Sequence, residues 1–153
     1  MVVSVRTACC ARDGLPVARA LAALRPDEVW ECSHLGGHRF AANVALAPDG
    51  LCFGRVDAAG VPALVAAVEA GAPPLELLRG RMALSPPAQV AELAALSATG
   101  AHGPLDVHLD GSVATVGALR IDLEEETLSP RPFSCDAEPE PLTIWRARAV
   151  TPA

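Results

Sequence analysis

The sequence predicts an α/β protein in which a mixed sheet with packing helices is followed by an α+β extension. Strand-sized apolar runs alternate with Ala/Leu-rich helical segments up to residue 72, and Pro73-Pro74 then breaks the chain. Beyond Pro104 the apolar residues recur at every second position, as in strands with one solvated face. The 153 residues suffice for one core. We therefore expect two parts, 1–72 and 73–153, packed on the same domain.

Composition and charge exclude several classes of protein. The chain is 51% hydrophobic and 20% charged, which argues against global disorder. A net charge of −6 argues against a nucleic-acid binder. The absence of a long uncharged apolar run argues against a membrane protein, and the N-terminus lacks the apolar region of a signal peptide. All twelve basic residues are Arg, which is typical of a GC-rich bacterial genome.

The cysteine content indicates a cytoplasmic protein. Five cysteines are an odd number, and without a leader they do not indicate a disulfide framework. We expect a cytoplasmic protein whose thiols have a metal or redox role. Cys52 and Cys135, each isolated in sequence, are predicted to be small buried apolar residues.

The N-terminal part opens as strand, helix, strand. Val2–Val5 is a short apolar run, and the helical pattern of 15–24 has Pro16 placed for a first turn. Glu28–Cys32 is predicted to be a strand, with Trp30 in the core. The following SHLGGHRF has two glycines between two histidines, which predicts a loop.

A hairpin and a helix complete the predicted N-terminal part. The runs Asn43–Ala47 and Leu51–Val56 flank Pro48-Asp49-Gly50, a strong turn signal. Val61–Gly71 is predicted to be a helix capped by its glycine. Strand–helix–strand followed by a hairpin and a helix is the order of a thioredoxin-like layer.

The C-terminal part mixes helical and alternating segments. The sequence predicts a helical turn over 75–78, a loop over 79–81, a helix over 88–97 capped by Ser85, strands over 105–109 and 119–123, an irregular Pro-rich segment over 130–141 and a last strand over 142–150. His102 and His108 fall at predicted surface positions.

One dense cluster of ligand-type residues stands out: Cys9, Cys10, Cys32, His34 and His38. The two glycines between the histidines allow the loop to curl, so that both imidazoles aim at one centre. The adjacent cysteines precede a predicted helix start, where free N–H groups favour a thiolate. Thiolate with imidazole suits an iron–sulfur cluster, zinc or copper.

Spacing alone does not choose the metal. A zinc finger pairs its two histidines with a Cys-x2–4-Cys, which adjacent cysteines do not provide. A Rieske centre needs a second Cys/His half, and only Cys32-Ser33-His34 is present. Two loop histidines satisfied by hydrogen bonds are an equal alternative.

Resemblance to a family favours one of these metals. The stretch VWECSHLGGHRFAANVALAPDGLCFGR over Val29–Arg55 resembles the sucrase/ferredoxin-like family of thioredoxin-fold [2Fe–2S] ferredoxins, with Phe53 in place of a family Tyr. Residues 8–16 (ACCARDGLP), residues 78–92 and the pair Ser134-Cys135 also resemble the family.

The resemblance implies a [2Fe–2S] cluster with two cysteines on one iron and two histidines on the other. It makes His34 and His38 ligands and takes a cysteine from the adjacent pair, with Cys10 favoured and Cys9 kept as a candidate. Cys32, Arg39 and Asn43 are then neighbours of the centre. The implied activity is one-electron transfer to an unidentified redox protein, not catalysis.

The start of the chain departs from the family pattern. The family's first cysteine ligand falls on Met1, so we expect a ferredoxin core truncated at its N-terminus that holds a cluster poorly. A zinc-binding module and a cluster-free structural or interaction domain are the alternative functions. Completion of one site by two copies of the chain, as a homodimer, also stays open.

Overall fold

The computed structural model describes residues 1–6, 8–132 and 137–153, and for Cys9 the backbone alone. This part of the chain contains three helices and nine strands. In chain order they are β1 Val2–Ser4, α1 Ala8–Leu24, β2 Trp30–Cys32, a 3-10 turn His38–Phe40, β3 Val44–Leu46, β4 Leu51–Phe53, α2 Val61–Glu69, β5 Leu78–Arg81, α3 Pro86–Thr99, β6 Val107–Asp110, β7 Val113–Val116, β8 Leu119–Pro132 and β9 Pro139–Pro152.

The first sheet has the order β2-β1-β3-β4-β5 and is mixed. Strand β1 pairs parallel with β2, with Val3 opposite Glu31, and every other pairing is antiparallel. The sheet therefore joins a β1-α1-β2 unit to the β3-β4 hairpin and α2. The predicted α/β class with a mixed sheet and packing helices is confirmed. The division of the chain at residue 72 stays a prediction, and β5 comes from beyond that point.

The first core forms where α1 and α2 pack on this sheet. Its largest fully buried apolar side chains are Val3, Val17, Leu21, Val44, Phe53 and Val61. Complete burial of one such side chain contributes about 1.5–3 kcal/mol. Gly14 lets α1 lie against β1, because a Cβ there would come 2.3 Å from the Ser4 carbonyl oxygen.

The second sheet is antiparallel, in the order β6-β7-β8-β9, and α3 packs against it through small residues. Ala91 and Ala95 of α3 meet Ile121 and Leu123 in a second apolar core. No helix in the described part of the chain is long and apolar enough to cross a membrane.

A buried carboxylate joins the two layers. Glu92 of α3 is 2% exposed, and its Oε1 accepts hydrogen bonds from Arg81 Nε at 2.8 Å and from the Leu105 amide at 3.0 Å. The Arg81 guanidinium also donates to the Leu105 carbonyl. Since Arg81 lies in β5, this ion pair ties the first sheet to α3.

Several elements differ from their predicted bounds. Helix α1 begins at Ala8 instead of residue 15, so Pro16 lies inside it and its first-turn prediction is wrong. Residues 8–13 carry helix-compatible side chains, and packing on β1 outweighs the loss of one backbone hydrogen bond at the proline.

Three predictions for the later strands are also wrong. Residues 79–81 belong to β5 instead of a loop. Val113–Val116 forms a strand between the two predicted ones, where the sequence analysis places none. Much of the Pro-rich segment is strand, because the β8–β9 pairing shifts register near Pro130, where a missing N–H is tolerated. Residues 133–136 lie outside the described chain.

The prediction for Trp30 is wrong as well. This side chain is 61% exposed, because it lies on β2, an edge strand of the first sheet. His102 and His108 are exposed, as predicted.

Candidate metal centre

The histidine loop connects β2 to β3 and is held by one buried amide. Gly36 and Gly37 take the left-handed conformation, with φ of 76° and 64°. Asn43 is fully buried, and its Nδ2 donates to the carbonyl oxygens of Gly36 at 3.2 Å and Gly37 at 3.1 Å. The loop backbone is therefore fixed at the two residues that separate the histidines.

Arg79 of β5 completes this network from the other side. Its Nη1 donates to Asn43 Oδ1 at 3.0 Å and lies 3.6 Å from Cys52 Sγ. A Cβ on Gly37 would lie 2.6 Å from Arg79 Nη2, and one on Gly54 would lie 2.7 Å from Arg79 Cδ. The two glycines thus leave the space through which the guanidinium reaches Asn43.

The structure brings three of the predicted ligands together. Cys10, the third residue of α1, is 1% exposed, and its Sγ lies 3.4 Å from Nδ1 of His38. The rings of His34 and His38 have centroids 4.5 Å apart and are inclined by 43°. His38 is half-buried and His34 exposed, so the group opens to the surface. That these side chains are ligands stays a prediction.

The adjacent cysteines lie within the first turn of α1, not before the helix as predicted. The physical reason for the prediction still applies with the earlier helix start. Amide groups of a first helical turn have no partner within the helix, and they favour a negatively charged sulfur. The side chain of Cys9 lies outside the described part of the chain.

The other cysteines differ in environment. Cys32 is half-buried at the end of β2, whereas Cys52 is buried in β4. Burial raises the pKa of the Cys52 thiol, and the nearby charge of Arg79 partly opposes that rise. Cys52 is a small buried apolar residue as predicted, and Cys135 lies outside the described residues.

The donor chemistry fits a metal, although the described side chains do not form a finished site. Among them, no group of three or more His, Cys, Asp or Glu residues is arranged to hold a metal ion. The contacts run pairwise instead, from Cys10 to His38 and from His38 to His34. One thiol and two imidazoles are the donor types that iron–sulfur clusters, zinc and copper accept.

Three arginine side chains lie around the aromatic ring of Phe40, next to the histidine loop. The guanidinium carbons of Arg39 and Arg79 each lie 4.6 Å from the ring centroid, and that of Arg55 lies at 5.3 Å. Burial lowers the pKa of Arg39, and repulsion from Arg79, Arg131 and Arg55 lowers it further. Arg39, Arg55 and Arg79 thus group around one aromatic ring beside the histidine loop.

A known family matches the part of the chain that carries this candidate centre. The model of the family described as sucrase/ferredoxin-like matches residues 4–80, half of the chain. The chain belongs to the sucrase/ferredoxin-like family. The match includes Cys10, both loop histidines, Asn43 and Arg79. No curated protein and no solved structure matches the chain.

The network behind the loop is what sequence reasoning missed. The sequence predicts Asn43 as a neighbour of the centre without specifying a contact, and it places residue 79 in a loop away from the centre. The available signal for the amide was the Gly36-Gly37 pair with an Asn six residues later, because tight loops expose carbonyls that need donors. Nothing local to Arg79 indicated that its side chain would reach back to the loop.

Proposed function

We propose that this sucrase/ferredoxin-like protein is a cytoplasmic electron carrier that binds a Cys/His-ligated [2Fe–2S] cluster. One observation carries the proposal: Cys10, in the first turn of α1, contacts His38 of the distant histidine loop, and the His38 ring lies beside that of His34. These three residues would hold the cluster, with Cys9 as a further candidate. The cluster when bound supplies one-electron chemistry at a potential that imidazole ligation raises.

The chain's own residues would prepare this centre in two ways. Asn43 and Arg79 fix the backbone between the histidines, so both rings keep their spacing without a metal. Cys10 lies in the first turn of α1, whose free amide groups would stabilise the negative charge of a metal-bound sulfur. Exposure of His34 leaves one edge of the centre open to a redox partner protein.

A single zinc ion is the second candidate, and one distance favours it. Zn–S bonds of about 2.3 Å and Zn–N bonds of about 2.0–2.1 Å place two tetrahedral ligand atoms roughly 3.5 Å apart. The observed separation of Cys10 Sγ and His38 Nδ1 is 3.4 Å, which fits two ligands of one ion as well as a direct thiol–imidazole hydrogen bond. Ligands of two different irons are farther apart than ligands of one ion, so cluster binding requires these two side chains to separate.

Metal analysis of anaerobically purified protein decides between the two candidates. We expect iron and acid-labile sulfide in equal amounts but at less than one cluster per chain, because only three ligands are assigned, and loss of both in the His34→Ala/His38→Ala double variant. His108→Ala is the matched control, because His108 is exposed on β6, outside the centre. Colourless protein with stoichiometric zinc would support the second candidate, and metal-free protein would contradict both.

A further inference from the structure

The strand that carries Arg79 has little support from its own sheet. Strand β5 has four residues and lies at an edge of the first sheet. Its pairing with β4 shifts register between Cys52 and Phe53, so the hydrogen-bond ladder is irregular. A short edge strand with an irregular ladder depends on contacts outside the sheet for its position. That position matters to the candidate centre, because Arg79 reaches Asn43 from β5.

The guanidinium of Arg79 has little room to adjust if β5 moves. A Cβ on Gly37 would lie 2.6 Å from its Nη2, and a Cβ on Gly54 would lie 2.7 Å from its Cδ, so both glycines flank the side chain closely. The bond from Nη1 to Asn43 Oδ1 measures 3.0 Å. A displacement of β5 away from the loop by about 0.5 Å would stretch this bond beyond the usual range for N–H···O bonds. The position of β5 therefore decides whether Asn43 is held.

Helix α3 supplies contacts that fix β5. Glu92 Oε1 accepts a hydrogen bond from Arg81 Nε at 2.8 Å, and Gln89 Nε2 donates to the Arg81 carbonyl oxygen at 2.8 Å. Gln89 also lies against Gly80, because a Cβ there would come 2.8 Å from the Gln89 Cβ. Glu92 is 2% exposed, so its ion pair with Arg81 is weakly screened by solvent. The two residues that follow Arg79 in β5 are thus held by α3.

We propose that Glu92 and Gln89 are positioning residues of the histidine loop, which act through β5 and Arg79 on Asn43. The second layer then sets the spacing of the two loop histidines, although it provides none of the proposed ligands. This inference deepens the proposed function and rests on it for the role of the loop, whereas the contacts themselves need no metal. The family match ends at residue 80, so both positioning residues lie beyond it.

The amide side chains of the protein provide a direct probe. The sequence contains one asparagine and one glutamine, Asn43 and Gln89, and both belong to this network. Labelling asparagine side chains with 15N therefore gives one NH2 signal pair, which reports on the Asn43 hydrogen bonds in metal-free, full-length protein. We expect Glu92→Gln to shift this pair and to speed its exchange with water by about threefold or more, because β5 loses its buried ion pair with α3.

Matched variants separate positioning from a general loss of stability. Gln89→Ala removes one contact with β5 and predicts a smaller change of the Asn43 signals in the same direction, which keeps the test open if Glu92→Gln does not fold. Leu123→Ala weakens the second core, leaves both positioning side chains in place and predicts unchanged signals. In an Arg79→Gln background, Glu92→Gln predicts no further change, because its effect depends on Arg79.

Unchanged Asn43 signals in both Glu92→Gln and Gln89→Ala would overturn the proposal. So would an equal change in Leu123→Ala, or a further change in the Arg79→Gln background. The metal content of Glu92→Gln is the second readout and should fall below that of Leu123→Ala. Equal metal in these two variants, where the parent protein binds metal, would also overturn it. Metal-free parent protein whose Asn43 signals respond as expected would contradict the proposed function alone and would support the positioning of the loop.

Discussion

The histidine-loop side of the first sheet and the β8–β9 arm of the second sheet stabilise their structure in opposite ways. The first region has strands of three or four residues, and a fully buried Asn43 holds its loop. The second consists of two strands of fourteen residues, whose ion pairs lie at the surface. The candidate centre therefore depends on a few buried hydrogen bonds. The β8–β9 arm depends on many contacts, each of small individual effect.

The largest expected effect is at Asn43. Asn43→Ala removes the side-chain donor of the Gly36 and Gly37 carbonyls and leaves the Arg79 guanidinium with only the Cys52 sulfur, which predicts a loss of about 2–4 kcal/mol in unfolding free energy. Urea unfolding measures it. Thr143→Ala, on the exposed face of β9, is the control from the second region and should stay within about 0.5 kcal/mol. Equal losses in the two variants would remove the contrast between the regions.

A pair of neighbouring glycines sharpens the comparison within the loop. Gly36→Ala places a Cβ in open space and predicts only the cost of the left-handed backbone, about 1 kcal/mol. Gly37→Ala adds a contact of 2.6 Å with Arg79 Nη2 and predicts a further loss of about 1 kcal/mol or more. The metal content of both variants, measured beside their unfolding, should fall more for Gly37→Ala.

If the two glycine variants were equally stable, Arg79 would be free to move aside. The loop would then depend on Asn43 alone.

Cysteine reactivity tests burial near the centre. The raised pKa and the burial of Cys52 predict slower alkylation by iodoacetamide at pH 8 than at the half-buried Cys32, measured by peptide mass spectrometry. The folded protein holds this thiol protonated, so its contribution to stability is full below the ordinary thiol pKa of about 8.5. That contribution is lost as the pH rises from this value through the raised pKa of the folded protein. Cys52→Ala should lessen the decline, and an unchanged decline would place its cause elsewhere.

The smallest effect is expected on the β8–β9 arm. Glu126→Gln breaks the ion pair with Arg146 at the surface, where solvent screens the charges. We expect a thermal midpoint within error of the parent protein at 150 mM salt. A clear drop would mean that the arm, too, depends on single contacts.

Sequence reasoning predicted the convergence of Cys10, His34 and His38 but not what holds it. The two histidines lie in one short motif, and the resemblance to the family groups them with Cys10. The Arg79–Asn43 bond joins β5 to the residue just before β3, and no local pattern encodes such a contact. The prediction of Pro16 in a first helical turn is wrong for a related reason, because packing of α1 on β1 decides where that helix begins.

Because Arg79 lies in β5, the smallest segment that could carry the histidine loop to another protein must include that strand. A segment ending at residue 72 keeps Cys10, His34 and His38, yet it omits β5 and with it the guanidinium bonded to Asn43. The family match extends to residue 80, just beyond that arginine. A designer who grafts the histidine loop onto another scaffold must therefore also graft a fifth strand, or supply a cation from the host at the same place.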